Sequence, residues 1–207
     1  MKVLRFNLFV ALTLICQICY SQQHSYIDIL KKKAREMTLK LGNNISLIAD
    51  KSVDLSLREK LISETILLFK DDQCSIEVSS KFRTETMKFG IREYLLRLFE
   101  ISSSRNVQIK FSEVLVDSEV KQVEDGSYKV VLRVIQSFKK YNERNVLEYY
   151  DITEKSIELF IFATFGEIEN EKIDFNNIKF GNMNVIETYN NIKKNTIKNV
   201  NVRMRKP

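Results

Sequence analysis

The chain has 207 residues, a formal net charge of +6 and 44% hydrophobic residues, which is enough for one domain with a single core. It contains one histidine, three cysteines and five glycines that stand apart from one another. These counts disfavour catalysis by histidine, zinc sites built on histidine and Gly-rich phosphate loops. We therefore expect no cofactor and no metal site, and we assign no catalytic residue.

The first 21 residues have the pattern of an export signal. A basic start precedes the apolar run Leu8–Ile18, and the small residues Cys19 and Ser21 occupy the positions that a signal peptidase recognises. The apolar run is too short to cross a bilayer, and no later segment is long and uncharged enough to do so. We predict a signal peptide over residues 1–21 and a periplasmic or secreted product. A lipid anchor on Cys16 or Cys19 is the alternative, although neither cysteine follows the small residues that lipidation requires.

Removal of the signal leaves one cysteine and one histidine in the mature chain. Cys74 stands at the start of a predicted strand, where a lone thiol is expected to be a small buried hydrophobic group. His24 lies next to the predicted new N-terminus, where a side chain has no fixed position relative to catalytic partners.

Three helices are predicted in the first half of the chain. Apolar residues at intervals of three and four run from Tyr26 to Leu41, and Gly42-Asn43-Asn44 is expected to end this helix. A second helix is predicted to begin near Ser56, which forms a capping-box pattern with Glu59. The third begins near Gly90 and is expected to end at the serine run 102–104.

The second half of the chain has the alternating pattern of strands. The short strand Cys74–Val78 comes first, and about four long antiparallel strands are predicted after residue 104. The predicted irregularities are a bulge at Ser112-Glu113, a hairpin turn at Asp125-Gly126 and a second bulge at Gly181. Ile157–Phe165 is expected to be a central strand, and Glu167–Asp174 a hairpin connection.

Two segments of the second half are polar. Residues 139–151 combine three tyrosines with charges of both signs and are interpreted as a solvated connection between strands or a partner surface. Residues 189–207 form a basic tail rich in Asn and Lys, which cannot bury enough apolar area to fold alone. Nucleic-acid binding is not expected from either segment.

The order of elements predicts an α+β fold in which three N-terminal helices pack on a strongly curved, mostly antiparallel sheet. It resembles the NTF2-like superfamily, the cystatin-like α+β cone, and in particular its secreted non-enzymatic members. The resemblance is carried by Tyr26–Leu41, Cys74–Val78, Ile91–Leu98 and Ile178–Thr188. It implies a single domain over residues 22–188, between the signal peptide and the tail.

The resemblance implies that enzymes of this fold place an acid or base and a tyrosine hydroxyl inside the cone. The candidates for such a pocket are Tyr94, Tyr128 and Glu158. Each has a second interpretation: Tyr94 lies on the apolar stripe of its helix and can fill the core, and Glu158 can lie on the solvated face of the sheet.

Helices can cover only one face of the predicted sheet, yet both faces carry apolar residues. Val131, Ile135, Phe160 and Phe162 are therefore interface candidates. The leading hypothesis is an exported, non-catalytic domain that binds a small apolar ligand or a protein, as a homodimer or with an envelope partner. The alternatives are an isomerase- or hydratase-type enzyme with a cone pocket, and an envelope-surface tether that acts through the basic tail.

Overall fold

The computed structural model describes residues 26–83, 85–170 and 172–189. The predicted signal peptide, His24 and nearly all of the predicted tail lie outside these residues. Within the described residues, no helix combines the length and the hydropathy that a membrane crossing needs.

The described chain is an α+β fold with the predicted order of elements. Helix α1 spans residues 26–48, α2 Leu55–Ile66, α3 Ile91–Ser104 and the short α4 Phe165–Glu169, and a 3-10 turn covers Phe175–Asn177. The strands are β1 Ser75–Val78, β2 Met87–Gly90, β3 Asn106–Val116, β4 Lys121–Gln122, β5 Tyr128–Tyr141, β6 Leu147–Ile161 and β7 Ile178–Tyr189.

These strands form one sheet in the order β2-β1-β7-β6-β5-β3, with β4 paired to β5. All pairs are antiparallel except β1 with β7. The three N-terminal helices and the curved, mostly antiparallel sheet confirm the predicted fold class. We call the face that packs on the helices the inner face and the opposite one the outer face.

Alternation of side chains decides what each face carries. In β5, Val130, Leu132 and Val134 are fully buried on the inner face, and in β6 the same holds for Ile157 and Leu159. Helix α1 contributes its predicted stripe, of which Leu30, Ala34, Met37 and Leu41 are completely buried. Each of these Val, Leu, Ile and Met side chains contributes about 1.5–3 kcal/mol through removal of apolar area from water.

Two predicted helix ends were wrong. Gly42 does not end α1, which continues to residue 48. A Cβ at Gly42 would lie 2.8 Å from Phe111, so this glycine allows close approach of the helix to β3. Helix α2 is capped by Asp54, whose carboxylate accepts from the backbone N–H groups of Ser56 and Leu57, and Ser56 is not the cap.

The predicted end of α3 is confirmed, because the serine run forms its last turn and the helix ends at Ser104. The hydroxyls of Ser102 and Ser103 donate to the Phe99 carbonyl at 2.9 and 2.8 Å. This bonding lets serine occupy a helix interior, where its own hydroxyl otherwise competes for backbone partners.

The predicted sheet irregularities are confirmed. The β3–β5 register shifts between Ser112 and Leu115, where Glu113 has φ 53°. Gly126 has φ 82° in the turn before β5. The β6–β7 register shifts opposite Gly181, where a Cβ would lie 2.9 Å from the Glu158 carboxylate.

Two strand predictions need correction. The predicted solvated connection over residues 139–151 is shorter than expected: β5 extends to Tyr141 and β6 begins at Leu147, so residues 142–146 join the two strands. The second correction concerns the predicted central strand Ile157–Phe165. It is the last part of β6, which ends at Ile161. The predicted hairpin connection does join β6 to β7, and it holds α4, whose cap Thr164 forms a capping box with Glu167.

Candidate functional site

A cavity of about 410 Å³ lies between α3, the β1–β2 segment and the inner face of β3, β5 and β6. This volume falls within the range of roughly 300–1,000 Å³ that small-molecule sites occupy. In this cavity apolar walls and buried polar groups meet, and it is therefore the candidate site.

A wider depression of about 720 Å³ runs along the other side of α3. Its lining includes the exposed side chains of Arg92, Glu93, Leu96 and Glu100. A ligand bound there would remain largely exposed to solvent, so this depression is a weaker candidate than the cavity.

The cavity walls are mostly apolar. Leu98 and Ile101 lie one turn apart on α3, Ile109 comes from β3, and Phe138 comes from β5. The 3.6-residue period of α3 and the two-residue period of the strands bring these side chains to the same space. An apolar ligand body would be surrounded by them.

One wall differs, because β6 places polar residues on its inner face. Asp151, Thr153 and Lys155 alternate in phase with the buried Ile157, and Gln136 of β5 is paired directly opposite Thr153. All four polar residues line the cavity and are at most 8% exposed. We call Gln136, Asp151, Thr153 and Lys155 the polar patch.

Lys155 is the largest buried side chain of the polar patch and has few partners. Its Nζ donates to the Glu77 backbone carbonyl at 2.7 Å and lies 5.9 Å from the centre of the Tyr94 ring. Burial lowers the pKa of this ammonium to about 8, although the charges of Asp151 and Glu77 oppose the shift. An ammonium has three N–H donors, and the described residues use one of them.

Asp151 accepts a hydrogen bond from the Tyr149 hydroxyl. Burial raises the pKa of the Asp151 carboxyl, against the lowering effects of this bond and of the charges on Lys81 and Lys155. The same Tyr149 oxygen bonds to Ser80 Oγ at 3.0 Å and accepts from the Lys81 backbone N–H at 3.3 Å. Tyr149 therefore connects the β1–β2 segment to the polar patch.

The other two members of the patch differ in how well they are satisfied. Thr153 Oγ1 lies 3.3 Å from Thr188 Oγ1 on the neighbouring strand. Gln136 Oε1 is buried and has no hydrogen-bond partner among the described residues. An unpaired buried acceptor costs about 1–3 kcal/mol, so Gln136 is not explained by stability.

The outer part of the cavity is lined by two cations. Arg83 is exposed, and its guanidinium contacts the Met87 sulfur. Arg97 Nε donates to Glu93 at 2.9 Å, and its guanidinium lies 4.6 Å from the Phe89 ring centre. Within the described ranges, no group of His, Cys, Asp and Glu side chains is arranged to hold a metal ion.

The three sequence-predicted pocket residues are not brought together. Tyr94 lines the cavity, where burial raises the pKa of its hydroxyl. Tyr128 lies at the start of β5, with its ring centre 6.4 Å from that of Tyr26. Glu158 lies on the outer face and accepts from Lys129 Nζ at 2.6 Å, as its second interpretation anticipated.

The four interface candidates lie away from the cavity. Val131 and Ile135 are half-buried on the outer face of β5. Phe160 of β6 has Lys70 Nζ 4.5 Å from its ring centre, and the same ammonium is 6.0 Å from that of Phe162. Lysine side chains therefore already cover part of this apolar surface.

The polar patch was not predicted from the sequence, although a signal for it exists. Asp151, Thr153 and Lys155 continue the odd-numbered positions of Ile157 and Leu159, which were recognised as a strand. Extending that alternation backwards would have placed three polar side chains on a buried face. The tyrosines and charges of residues 139–151 obscured the strand's true start.

The sequence matches no protein-family model and none of the curated proteins. Among solved structures, it is similar to a periplasmic fragment of TraM, with 9% identity, a TM-score of 0.46, and coverage of 74% of this chain and 95% of that one. It is also similar to a candidate scytalone dehydratase from Novosphingobium aromaticivorans, with 12% identity, a TM-score of 0.42, and coverage of 76% and 85%. Neither likeness assigns the chain to a family, and the function has to be argued from the cavity.

Proposed function

We propose that this chain is an exported binding domain of the NTF2-like type that holds a small amphipathic molecule in the cavity beneath α3. The observation that carries the proposal is the polar patch, a set of buried side chains with unused hydrogen-bonding capacity beside an open space. Export is supported by the signal pattern of residues 1–21.

The physical reason is the cost of keeping such groups without a partner. Gln136 Oε1 and the ammonium of Lys155 are both held away from bulk water. Among the described residues, Gln136 Oε1 has no hydrogen-bond partner and the Lys155 ammonium has one. A ligand with one polar end supplies an acceptor to Lys155 or a donor to Gln136, while Leu98, Ile109 and Phe138 receive its apolar body. The arrangement favours a molecule with one polar and one apolar end.

A neutral dye tests whether the cavity accepts such molecules. N-phenyl-1-naphthylamine fluoresces in apolar surroundings, and we expect saturable binding at one site per chain. Ile101→Trp places a large side chain at the cavity wall, where Ile101 is 46% exposed, and should weaken dye binding about tenfold or more.

Leu96→Trp is the matched control, because Leu96 lies on the same helix, is 43% exposed and does not line the cavity. This variant should bind the dye as the parent does. The proposal fails if the parent shows no saturable binding, or if both tryptophan variants lose the dye equally.

Proton-transfer chemistry of the isomerase or hydratase type is a second candidate function. It is favoured by Lys155, whose pKa is about 8, on the same inner face as Asp151, whose pKa is raised by burial. A group with a pKa of about 8 exchanges protons near neutral pH. Glu158, the earlier acid–base candidate, lies on the outer face and takes no part in this version.

Deuterium incorporation from D₂O into cyclohexanone, followed by NMR, tests the second candidate in its simplest form. The parent should exchange the protons next to the carbonyl faster than buffer does, and Lys155→Met should return the rate to that of buffer. Equal rates for parent, variant and buffer would remove this reaction type and leave ligand binding unaffected.

The outer face is proposed as the protein interface of a homodimer, centred on Val131, Ile135 and Phe160. The support is that these apolar residues are only half-buried on the outer face of the described sheet. Native mass spectrometry should then show a dimer that Val131→Glu disrupts. A monomer at high protein concentration would contradict this assignment.

A further inference from the structure

The charges that line the cavity are unequal. Lys155, Arg83 and Arg97 are cations, of which Arg97 is paired with Glu93, and Asp151 is the acid among the lining residues. Lys81 adds another cation next to the lining, with its Nζ 5.0 Å from the Tyr149 ring centre. Such an excess of positive charge raises the local concentration of anions and disfavours cationic ligands.

The polar patch, at the buried side of the cavity, also favours an anionic ligand over a cationic one. Asp151 already accepts from the Tyr149 hydroxyl, so its need for a donor is partly met. Lys155 has only the neutral carbonyl of Glu77 as a hydrogen-bond partner among the described residues. The buried ammonium is thus the group with the most to gain from a ligand of opposite charge.

We propose that the ligand is an amphipathic monoanion, an organic carboxylate with an aliphatic or aromatic body, whose head group binds Lys155 Nζ. This inference rests on the proposed binding function and names the chemical class of its ligand. The carboxylate accepts from the two N–H donors that Lys155 does not use, and its body lies along Leu98, Ile109 and Phe138. Arg83 and Arg97, further out, attract the anion during entry.

Competition among three probes with the same alkyl chain tests this assignment. Octanoate, octanol and octylamine are titrated into the parent protein loaded with N-phenyl-1-naphthylamine, and dye displacement is followed by fluorescence. A charge-assisted hydrogen bond makes octanoate bind about tenfold or more tightly than octanol. Octylamine should be the weakest of the three.

Lys155→Met then locates the head group. The variant should lose the preference for octanoate while octanol binds as before or better, because the methionine keeps the apolar volume. Arg83→Gln is the matched control at the outer part of the cavity, and it should slow octanoate binding while it keeps the preference over octanol.

Three outcomes would overturn the inference. Octanol or octylamine that binds as tightly as octanoate in the parent would show that charge is not recognised. A preference for octanoate that survives Lys155→Met and disappears in Arg83→Gln would place the head group at the outer part of the cavity. Absence of any dye binding would contradict the binding function itself, which separates that failure from a failure of the ligand class.

Discussion

Arg58 and Lys155 are both buried cations, at 3% and 2% exposure, but their surroundings differ. Arg58 Nε donates to the Ile48 carbonyl at 2.9 Å, and Nη2 donates to the Phe99 carbonyl at 3.2 Å and to Ser102. Its guanidinium also lies 4.4 Å from the Phe99 ring centre. Lys155 has one hydrogen bond and an open cavity beside it.

The comparison separates two uses of a buried charge. Arg58 joins the end of α1 to α2 and α3, and the protein itself satisfies it, which is what a structural role requires. Lys155 is left with free donors facing a space that can be filled, which is what a binding role requires. Substitution of either cation therefore tests this difference.

The largest expected effect is that of Arg58→Met. The substitution removes three hydrogen bonds that a buried cation donates, to the carbonyls of Ile48 and Phe99 and to Ser102, and hydrogen bonds to charged groups contribute about 1.5–3 kcal/mol each. We expect a loss of about 3 kcal/mol or more in the free energy of unfolding, measured by urea denaturation. Arg97→Met, at an exposed ion pair, should cost less than about 1 kcal/mol. Equal losses in the two variants would contradict the structural role of Arg58.

Lys155→Met should act in the opposite direction at neutral pH. The folded pKa of Lys155 is about 8, below the 10.5 of an exposed lysine, so the unfolded chain binds more protons between these values. Parent stability therefore rises with pH across this window, and the charged lysine costs on the order of 3 kcal/mol below it. The variant lacks this cost, so it should be more stable than the parent at pH 7.

The stability advantage of this variant should shrink as pH increases toward the unfolded pKa. Urea denaturation at several pH values measures it. The other charged or titratable groups near Lys155 are Asp151, Glu77 and Tyr94, and both proteins retain them. A constant difference between parent and variant from pH 7 to 10 would show that Lys155 does not titrate in this window.

Sequence patterns were sufficient for the fold and insufficient for the site. Period-3.6 and period-2 repeats located α1, α3 and the long strands, and glycine chemistry located the bulge at Gly181, because these features depend on local residue type. The role of Gly42 was predicted wrongly because glycine is favoured both at a helix end and at a close contact between a helix and a strand. Only the position of Phe111 distinguishes these two roles.

The polar patch depends on partners distant in the chain. Lys155 Nζ donates to the carbonyl of Glu77, which lies 78 positions earlier in the chain, and the burial of Lys155 depends on the pairing of β1 with β7. No local pattern around Lys155 reports that neighbour. Tyr94 was found because its helix carries a strong apolar stripe, whereas Gln136 is a polar residue between the apolar Val134 and Phe138 on the inner face of β5.

Gly42→Ala tests the packing of α1 against β3 rather than a buried charge. The added Cβ would lie 2.8 Å from Phe111, so overpacking outweighs the better helix propensity of alanine, and we expect a net loss of about 1 kcal/mol in urea denaturation. Gly90→Ala is the control, because no atom lies within 4 Å of a Cβ there. Equal stabilities of the two variants would show that the contact with Phe111 is not tight.

The smallest effect should come from Tyr149→Phe. Removal of the hydroxyl breaks the bonds to Asp151 and Ser80, at a cost of about 1 kcal/mol, and raises the pKa of Asp151 further because this bond lowers it. Urea denaturation measures the cost, and Tyr150→Phe on the same strand is the control. A Tyr149 variant as stable as the Tyr150 variant would show that the bonds to the β1–β2 segment contribute nothing.

The central claim is that Lys155 is a buried, incompletely paired cation that a ligand completes. NMR titration of ¹³C-labelled lysine Cε resonances, with Lys155→Met used for assignment, measures its pKa directly. We predict a pKa of about 8 in the free protein and a value raised toward the usual 10.5 with saturating octanoate. A pKa that is already that of an exposed lysine, or one that octanoate leaves unchanged, would contradict the account.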